Sequence, residues 1–259
     1  PLYSMNKTST LVSVLVLSIA FAVSCTKNNS SGNYPAVAAK FSGKIDLNKL
    51  ANYANQTKPA YITKDNTGAN AISNAKATLG RVLFYDKQLS IDNSISCASC
   101  HKQNFAFGDT AIASKGVAGG LTTRHSMRLA NARFGNETKF FWDERALSLE
   151  NQTTQPIQNH VEMGFSGQNG RPNLSTLLTK LIGLDYYNEL IKFAYGDTAI
   201  TETRMQECLA QFVRSIQSFD SKYDAGRALV QNDNQPFPNF TTQENQGKDL
   251  FLTPPVFDA

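Results

Sequence analysis

The chain has 259 residues, of which 41% are hydrophobic and 18% are charged, and its formal net charge is +4. This composition is typical of a globular protein and excludes disorder throughout the chain. Basic residues are scattered and do not gather in a run, so we expect no nucleic-acid partner.

The N-terminus has the pattern of an export signal. A short basic start at Met5–Lys7 is followed by the apolar run Leu11–Val23, which is too short for a membrane-spanning helix. Small residues precede Cys25 and resemble the lipobox of bacterial lipoproteins. We therefore predict a signal peptide over residues 1–24, with residues 1–4 upstream of the start Met. The mature protein would be periplasmic and held to a bacterial membrane only by a lipid on Cys25. An ordinary signal peptide cut nearby, with Cys25 incidental, is the alternative.

Residues 25–40 are polar and lack periodicity, which predicts a flexible tether ahead of a folded domain that begins at residue 41. Within the domain, apolar residues at i, i+3 and i+4 spacing predict helices over residues 77–87 and 201–219 and two short helices over 174–194. Strand-like alternation is scarce, so the predicted fold class is all-α. Met205 and Cys208 lie on the apolar stripe of the last helix, where we expect core residues, with Cys208 a buried free thiol.

Three residues form the motif C-x-x-C-H: Cys97, Cys100 and His101. Two thiols at this spacing can add to the two vinyl groups of one porphyrin edge, and the adjacent imidazole can then bind the iron. A thioredoxin-like redox pair would need a preceding strand, whereas the polar loop 90–94 precedes the motif. A zinc site would need four ligands, and no second Cys/His pair has suitable spacing. The sequence therefore predicts one covalently bound haem c with His101 as its iron ligand.

Four sequence blocks, in order, resemble the bacterial di-haem cytochrome c peroxidase family, which includes the MauG-type enzymes. The resemblance covers residues 75–257, and its blocks are residues 83–90, 96–101, 140–146 and 155–164. In that family an N-terminal haem domain reduces hydrogen peroxide, and a C-terminal haem domain takes electrons from a small donor protein. The resemblance implies a cytochrome c-like haem domain, the N-terminal half of a two-domain di-haem peroxidase.

The resemblance also implies roles for individual residues. His101 matches the proximal ligand of the peroxidatic haem. Glu162 matches the distal carboxylate that moves a proton from one peroxide oxygen to the other, and Gln152 and Phe141 match its neighbours in the distal pocket. Trp142 matches the aromatic residue that carries electrons between the two haems.

Two of these assignments have structural alternatives. From the residues alone, no spacing rule selects Glu162 over Glu144 or Glu150 as the acid/base group. Glu162 could instead be a solvated loop carboxylate, and Trp142 a buried packing residue.

The sequence departs from the family in two places. Residues 115–120 contain no distal histidine, which suggests an iron site that is already open in the oxidised protein. His125 is the substitute candidate ligand, but it stands at a position that is usually asparagine in an inter-domain calcium site, which weakens the case for calcium as a cofactor. No second C-x-x-C-H follows Gly247–Phe251, so we predict a peroxidatic domain over residues 41–240, the start of a C-terminal haem domain over residues 241–259, and a second haem beyond it.

The sequence thus predicts a peroxidase that reduces hydrogen peroxide to water with electrons from a cytochrome c or a cupredoxin. A MauG-type haem oxidase that modifies a partner protein is the first alternative. The second is a non-catalytic electron-transfer cytochrome c, which would need a strong sixth ligand to the iron.

Overall fold

The structure is a computed structural model that describes residues 34–253. The predicted signal peptide, Cys25 and the first part of the tether lie outside the described residues. Over 34–253 the chain forms helices, short 3-10 turns and three isolated β-bridges, with no strand. The prediction of an all-α fold is confirmed. The helices are α1 (Pro35–Phe41), α2 (Asn74–Tyr85), α3 (Cys97–Cys100), α4 (Leu149–Thr153), α5 (Gln155–Gln158), α6 (Leu174–Ile182), α7 (Asp185–Tyr195), α8 (Glu202–Arg214), α9 (Lys222–Arg227) and α10 (Thr242–Leu252).

The core is organised around the crossing of α2 and α8. A Cβ atom on Gly80 of α2 would lie 1.9 Å from the carbonyl oxygen of Cys208 on α8, so the two backbones can approach this closely only at a glycine. Leu79 and Leu83 on α2 and Met205 on α8 are each 1% exposed. Cys208 is a buried free thiol, as its place on the apolar stripe predicted.

Helices α6 and α7 confirm the two short helices predicted over residues 174–194. Each carries an apolar stripe, and Leu177, Leu181 and Tyr187 are fully buried. Asn173 caps the N-terminus of α6 by accepting a hydrogen bond from the backbone N–H of Thr176. Gly196 follows the last residue of α7, and its φ of 85° favours glycine.

The predicted tether is wrong over residues 34–40, because α1 occupies most of them. Val37 is 1% exposed and belongs to the core. The backbone N–H groups of Ala36 and Val37 donate to the carboxylate of Glu189 on α7 at 3.0 and 2.9 Å. These hydrogen bonds satisfy backbone N–H groups that the N-terminus of a helix otherwise leaves unpaired. Glu189, which is distant in sequence, therefore stabilises a helix that the local sequence pattern does not predict.

Helix α8 ends at Arg214, earlier than the predicted residue 219. The Ser215 hydroxyl donates to the Phe212 carbonyl at 2.6 Å. Beyond that point the chain pairs with Asn131, whose amide donates to the Ser218 carbonyl at 2.8 Å and accepts from the Ser218 N–H at 2.9 Å. Helix α8 ends earlier than predicted because Ser218 forms these hydrogen bonds with Asn131 in place of helical ones.

Helix α10 is amphipathic only in part, and it leaves Leu250 and Phe251 79% and 88% exposed. The predicted boundary near residue 241 stays a prediction.

No helix among residues 34–253 has the length and apolar character needed to cross a bilayer.

Two glycine-to-alanine substitutions test the helix crossing. Gly80→Ala should lower the free energy of unfolding by about 1–3 kcal/mol, because the added methyl group meets backbone atoms that cannot rotate away. Gly247→Ala in α10 is the matched control: nothing lies within 4 Å of its Cβ position. This control should raise stability by about 0.5–1 kcal/mol through helix propensity. Urea unfolding of the haem-loaded protein measures both, and equal effects would contradict the close crossing.

Candidate functional site

A cavity of about 830 Å³ opens beside the α2–α8 crossing. Its walls come from the C-x-x-C-H segment, from the two loops 122–132 and 139–145, and from Leu209 and Val213 on α8. The predicted site residues Cys97, Cys100, His101, Phe141, Trp142, Gln152 and Glu162 all line it. The fold therefore brings together residues that span more than sixty positions of the sequence.

His101 is oriented by a tight turn that follows it. The chain turns back between Lys102 and Gly108, and Ala106 and Phe107 have φ values of 54° and 59°. This turn places the Phe107 carbonyl oxygen 2.8 Å from Nδ1 of His101. A carbonyl only accepts, so Nδ1 carries the proton and Nε2 is the nitrogen that can bind a metal. Burial lowers the pKa of His101, which favours the neutral form that ligation requires.

The two cysteines are held by a single helical turn. The Ser96 N–H donates to the Ser99 hydroxyl at 3.0 Å, and the His101 N–H donates to the Cys97 carbonyl at 2.9 Å. Neither cysteine forms a disulfide within residues 34–253. Two cysteine sulfurs and an imidazole thus line one cavity. Its volume lies within the roughly 300–1,000 Å³ of cofactor and ligand sites, so these residues fit a covalently attached haem.

Glu162 faces the same cavity from a loop that is fixed on both sides. Its backbone N–H donates to the Asn159 side chain at 3.1 Å, and its carbonyl accepts from the Val117 N–H at 3.0 Å. A Cβ on Gly116 would lie 2.0 Å from the Val161 carbonyl oxygen, so the two loops touch at a glycine. The carboxylate has no hydrogen-bond partner among residues 34–253, and burial raises its pKa while the Arg145 charge opposes that rise.

The other two candidate carboxylates differ from Glu162 in their surroundings. Glu150 forms an ion pair with Arg214, which is 3% exposed, and accepts from the Asn70 amide at 2.8 Å. It does not line the cavity. Glu144 is exposed at the cavity rim, with a φ of 54°. Of the three candidates, Glu162 is the one that lines the cavity half-buried and without a side-chain partner among residues 34–253.

The loop 140–146 carries Phe141 and Trp142, whereas Gln152 lies on α4. Reciprocal backbone hydrogen bonds between Phe140 and Ala146 close the loop at 2.8 and 3.3 Å. Phe141 has a φ of 72°, which is strained for an aromatic residue and is retained only where the surroundings hold it. The guanidinium of Arg145 stacks on the Phe141 ring at 3.5 Å.

Trp142 and His125 meet at the edge of the cavity. The indole N–H of Trp142 donates to the His125 carbonyl at 2.9 Å, and the side chain is 59% exposed. Residues 34–253 therefore do not bury Trp142, and its role stays a prediction. Nδ1 of His125 lies 2.9 Å from the Ala111 carbonyl oxygen. This hydrogen bond uses Nδ1 of the ring and does not involve Nε2.

Sequence reasoning missed two residues of this site. Arg145 interacts with both Phe141 and Asp143, and Asp143 also pairs with Arg124 at 2.8 Å. Arg145 lies three residues after Trp142 in the block 140–146, and this position could have identified Arg145 as a candidate. Met127 lines the cavity and is 39% exposed; no local pattern marks it. No three His, Cys, Asp or Glu side chains of residues 34–253 form a metal cluster, and the calcium site stays a prediction.

The chain is similar to known proteins over the region that contains this cavity. Residues 74–234 match the model of a family described as di-haem cytochrome c peroxidase. Methylamine utilization protein MauG from Methylophilus methylotrophus is 30% identical over 156 residues, 60% of this chain and 44% of that protein. Cytochrome c551 peroxidase from Nitrosomonas europaea is 31% identical over 156 residues, 57% of this chain and 42% of that protein.

Solved structures of related proteins are also similar to this chain. A MauG-like protein associated with microbial copper homeostasis has a TM-score of 0.63 and 29% identity, over 77% of this chain and 55% of that chain. The diheme peroxidase BthA Y463M variant from Burkholderia thailandensis, at 22% identity and a TM-score of 0.57, shares the fold. The chain spans less than half the length of the two curated relatives.

Proposed function

The chain belongs to the di-haem cytochrome c peroxidase family, as its four sequence blocks predicted, and on that premise we propose that it reduces hydrogen peroxide to water at a haem c held by Cys97, Cys100 and His101. Electrons come from a small redox protein, a cytochrome c or a cupredoxin. The protein works in the periplasm, anchored through Cys25. A second haem belongs to a C-terminal domain that begins near residue 241.

One observation carries the proposal. A single cavity contains an imidazole whose Nε2 can bind iron and a half-buried carboxylate without a hydrogen-bond partner among the described residues. Peroxidase chemistry needs both an iron ligand and a nearby group that moves protons. When bound, haem supplies the iron that binds peroxide and exchanges electrons with it. His101 would hold that group through Nε2, because Nδ1 is engaged by the Phe107 carbonyl.

Glu162 moves the proton within the cavity. Its carboxylate accepts a proton from one oxygen of hydrogen peroxide and delivers it to the other, which departs as water; two electrons and two protons complete the reduction to two waters. The Arg145 charge favours the deprotonated form of Glu162, which burial disfavours. Gln152 offers an amide to orient the peroxide, and Phe141 excludes water beside it.

Trp142 is the proposed path for electrons that arrive from the second haem. Its 59% exposure at the cavity edge leaves an aromatic face for another domain to cover. The hydrogen bond from its indole N–H to the His125 carbonyl fixes the ring at that edge.

A MauG-type haem oxidase acting on a partner protein is the second candidate. Similarity to a curated MauG and to a MauG-like structure favours it. The two candidates share the haem site and Glu162, and they differ in what supplies electrons. Turnover of peroxide with reduced cytochrome c supports the peroxidase, whereas covalent modification of a partner protein supports the oxidase.

Replacement of the distal carboxylate tests the proposed proton transfer. In the haem-loaded protein, Glu162→Gln should lower kcat/KM for hydrogen peroxide by roughly 10²–10⁴-fold, because a carboxamide cannot accept the proton. Glu144→Gln is the control, since it removes an exposed carboxylate at the rim of the same cavity and should leave the rate unchanged. Stopped-flow absorbance measures both variants, and equal losses would contradict the assignment.

The pH dependence of the same reaction tests Arg145. The rate should fall as pH drops through the pKa of Glu162, because the protonated form cannot act as a base. Arg145→Gln removes the charge that lowers this pKa, so the acidic limb should move to higher pH. Arg145→Lys keeps a cation and should shift the limb less. An unmoved limb in Arg145→Gln would show that the guanidinium does not act on Glu162.

A further inference from the structure

A second cavity, of about 550 Å³, lies between α1, the segment that follows α1, and α2 with the turn after it. We call this cavity the basic cleft. Four exposed basic side chains line it: Lys40, Lys44, Arg81 and Lys87. None of them forms an ion pair with a carboxylate of residues 34–253. Direct pairing within that part of the chain therefore does not neutralise their charges.

Asp86 is the one acidic residue among those that line the basic cleft. Its Oδ2 accepts hydrogen bonds from the hydroxyls of Tyr186 and Tyr187 at 2.8 and 3.0 Å, and its Oδ1 accepts from the Gln88 N–H at 2.9 Å. These three donors engage both carboxylate oxygens, and none of them belongs to the four cations. The lining side chains thus carry a formal charge of +3, which favours an anionic ligand.

Apolar and aromatic groups also line the basic cleft. Phe41 and Ile45 are half-buried, and Tyr85 is 41% exposed. Tyrosine is enriched where a protein meets the headgroups of a bilayer, because its ring has an apolar body and a polar end. Lysine and arginine suit the same region, since their stems cover apolar surface while their charged ends stay in water. This combination of side chains fits the surface of an anionic membrane.

The predicted lipid anchor would hold a membrane within reach of the basic cleft. Eight residues separate Cys25 from Tyr34, the first residue that the structure describes. Even when fully extended, a segment of this length spans only about 30 Å. Helix α1, which carries Lys40, begins at the next residue, Pro35. A lipid on Cys25 would therefore keep the start of α1 within about 30 Å of the bilayer surface.

From the unpaired charge, the amphipathic lining and this short tether we infer that the basic cleft docks on the anionic phospholipid headgroups of a membrane. The headgroup phosphates are the partners of its lysines and arginine. The inference uses the lipid anchor of the proposed function and does not depend on the peroxide chemistry. It adds a second membrane contact to the single lipid that the sequence predicts.

Docking at the basic cleft leaves the haem cavity free. No described residue lines both cavities. Trp142, the proposed path for electrons from the second haem, lines the haem cavity and not the basic cleft. Contact with a membrane at the cleft therefore occupies none of the residues to which the proposed function assigns electron entry.

Vesicle binding in the absence of the lipid tests the docking. The haem-loaded protein is produced with Cys25→Ser behind a cleavable signal peptide, so that no lipid is attached. Co-sedimentation at low ionic strength measures its partition onto vesicles of phosphatidylcholine, with and without phosphatidylglycerol. Binding should require phosphatidylglycerol and should weaken as salt is added. Equal partition onto the two kinds of vesicle, or onto neither, would overturn the inference.

Charge reversal then locates the contact. Lys44→Glu/Lys87→Glu changes the charge of the cleft by four units, and each cation near an anionic surface strengthens binding roughly fivefold. Partition onto phosphatidylglycerol vesicles should therefore fall on the order of 10²-fold. Lys64→Glu/Lys115→Glu makes the same charge change at two exposed positions that do not line the cleft, and its effect should be much smaller. Equal effects in the two double variants would contradict docking at the cleft.

Two further measurements distinguish the ligand and the anchor. Inorganic phosphate at constant ionic strength should not displace the protein from the vesicles; displacement would make the cleft a site for the free anion and would overturn docking on lipid. Incorporation of labelled palmitate into the exported protein, with Cys25 intact, tests the anchor on its own. Absence of the label would refute the anchor in the proposed function, whereas the vesicle assay uses protein without a lipid and would still decide the docking.

Discussion

Helices α2 and α8 cross where only glycine fits, because a Cβ atom on Gly80 would lie 1.9 Å from the carbonyl oxygen of Cys208. Both helices reach the cavity that contains Cys97, Cys100 and His101. Phe84 on α2 lines this cavity, and Leu209 and Val213 on α8 supply another part of its wall. One close helix packing therefore positions residues from two helices at the candidate site.

The chemistry of the haem cavity depends on two opposite electrostatic environments. His101 is buried, and a backbone carbonyl determines which of its nitrogens carries the proton, so it can act as a neutral ligand. Burial raises the pKa of Glu162, and the positive charge of Arg145 opposes that rise. Phe141 has a strained backbone conformation, and the Arg145 guanidinium stacked on its ring helps to retain it.

Features encoded locally could be predicted from the sequence. The apolar stripes of α6, α7 and α8 and the burial of Cys208 follow from helical periodicity, and the spacing of Cys97, Cys100 and His101 follows from the chemistry of haem attachment. Helix α1 could not be predicted, because Glu189 stabilises its N-terminus from more than 150 positions away. The same holds for Met127, which lines the cavity that contains His101. Such features arise from tertiary contacts that no local pattern records.

The proposed peroxidase requires that an iron held by His101 would keep one coordination position open to hydrogen peroxide. Two side chains that line the cavity, His125 and Met127, have atoms able to close that position. The electronic spectrum of the oxidised, haem-loaded protein decides between these states. A high-spin ferric spectrum that changes on addition of hydrogen peroxide is the predicted result. A wholly low-spin spectrum that peroxide leaves unchanged would contradict the account, because the iron would then already carry a sixth protein ligand.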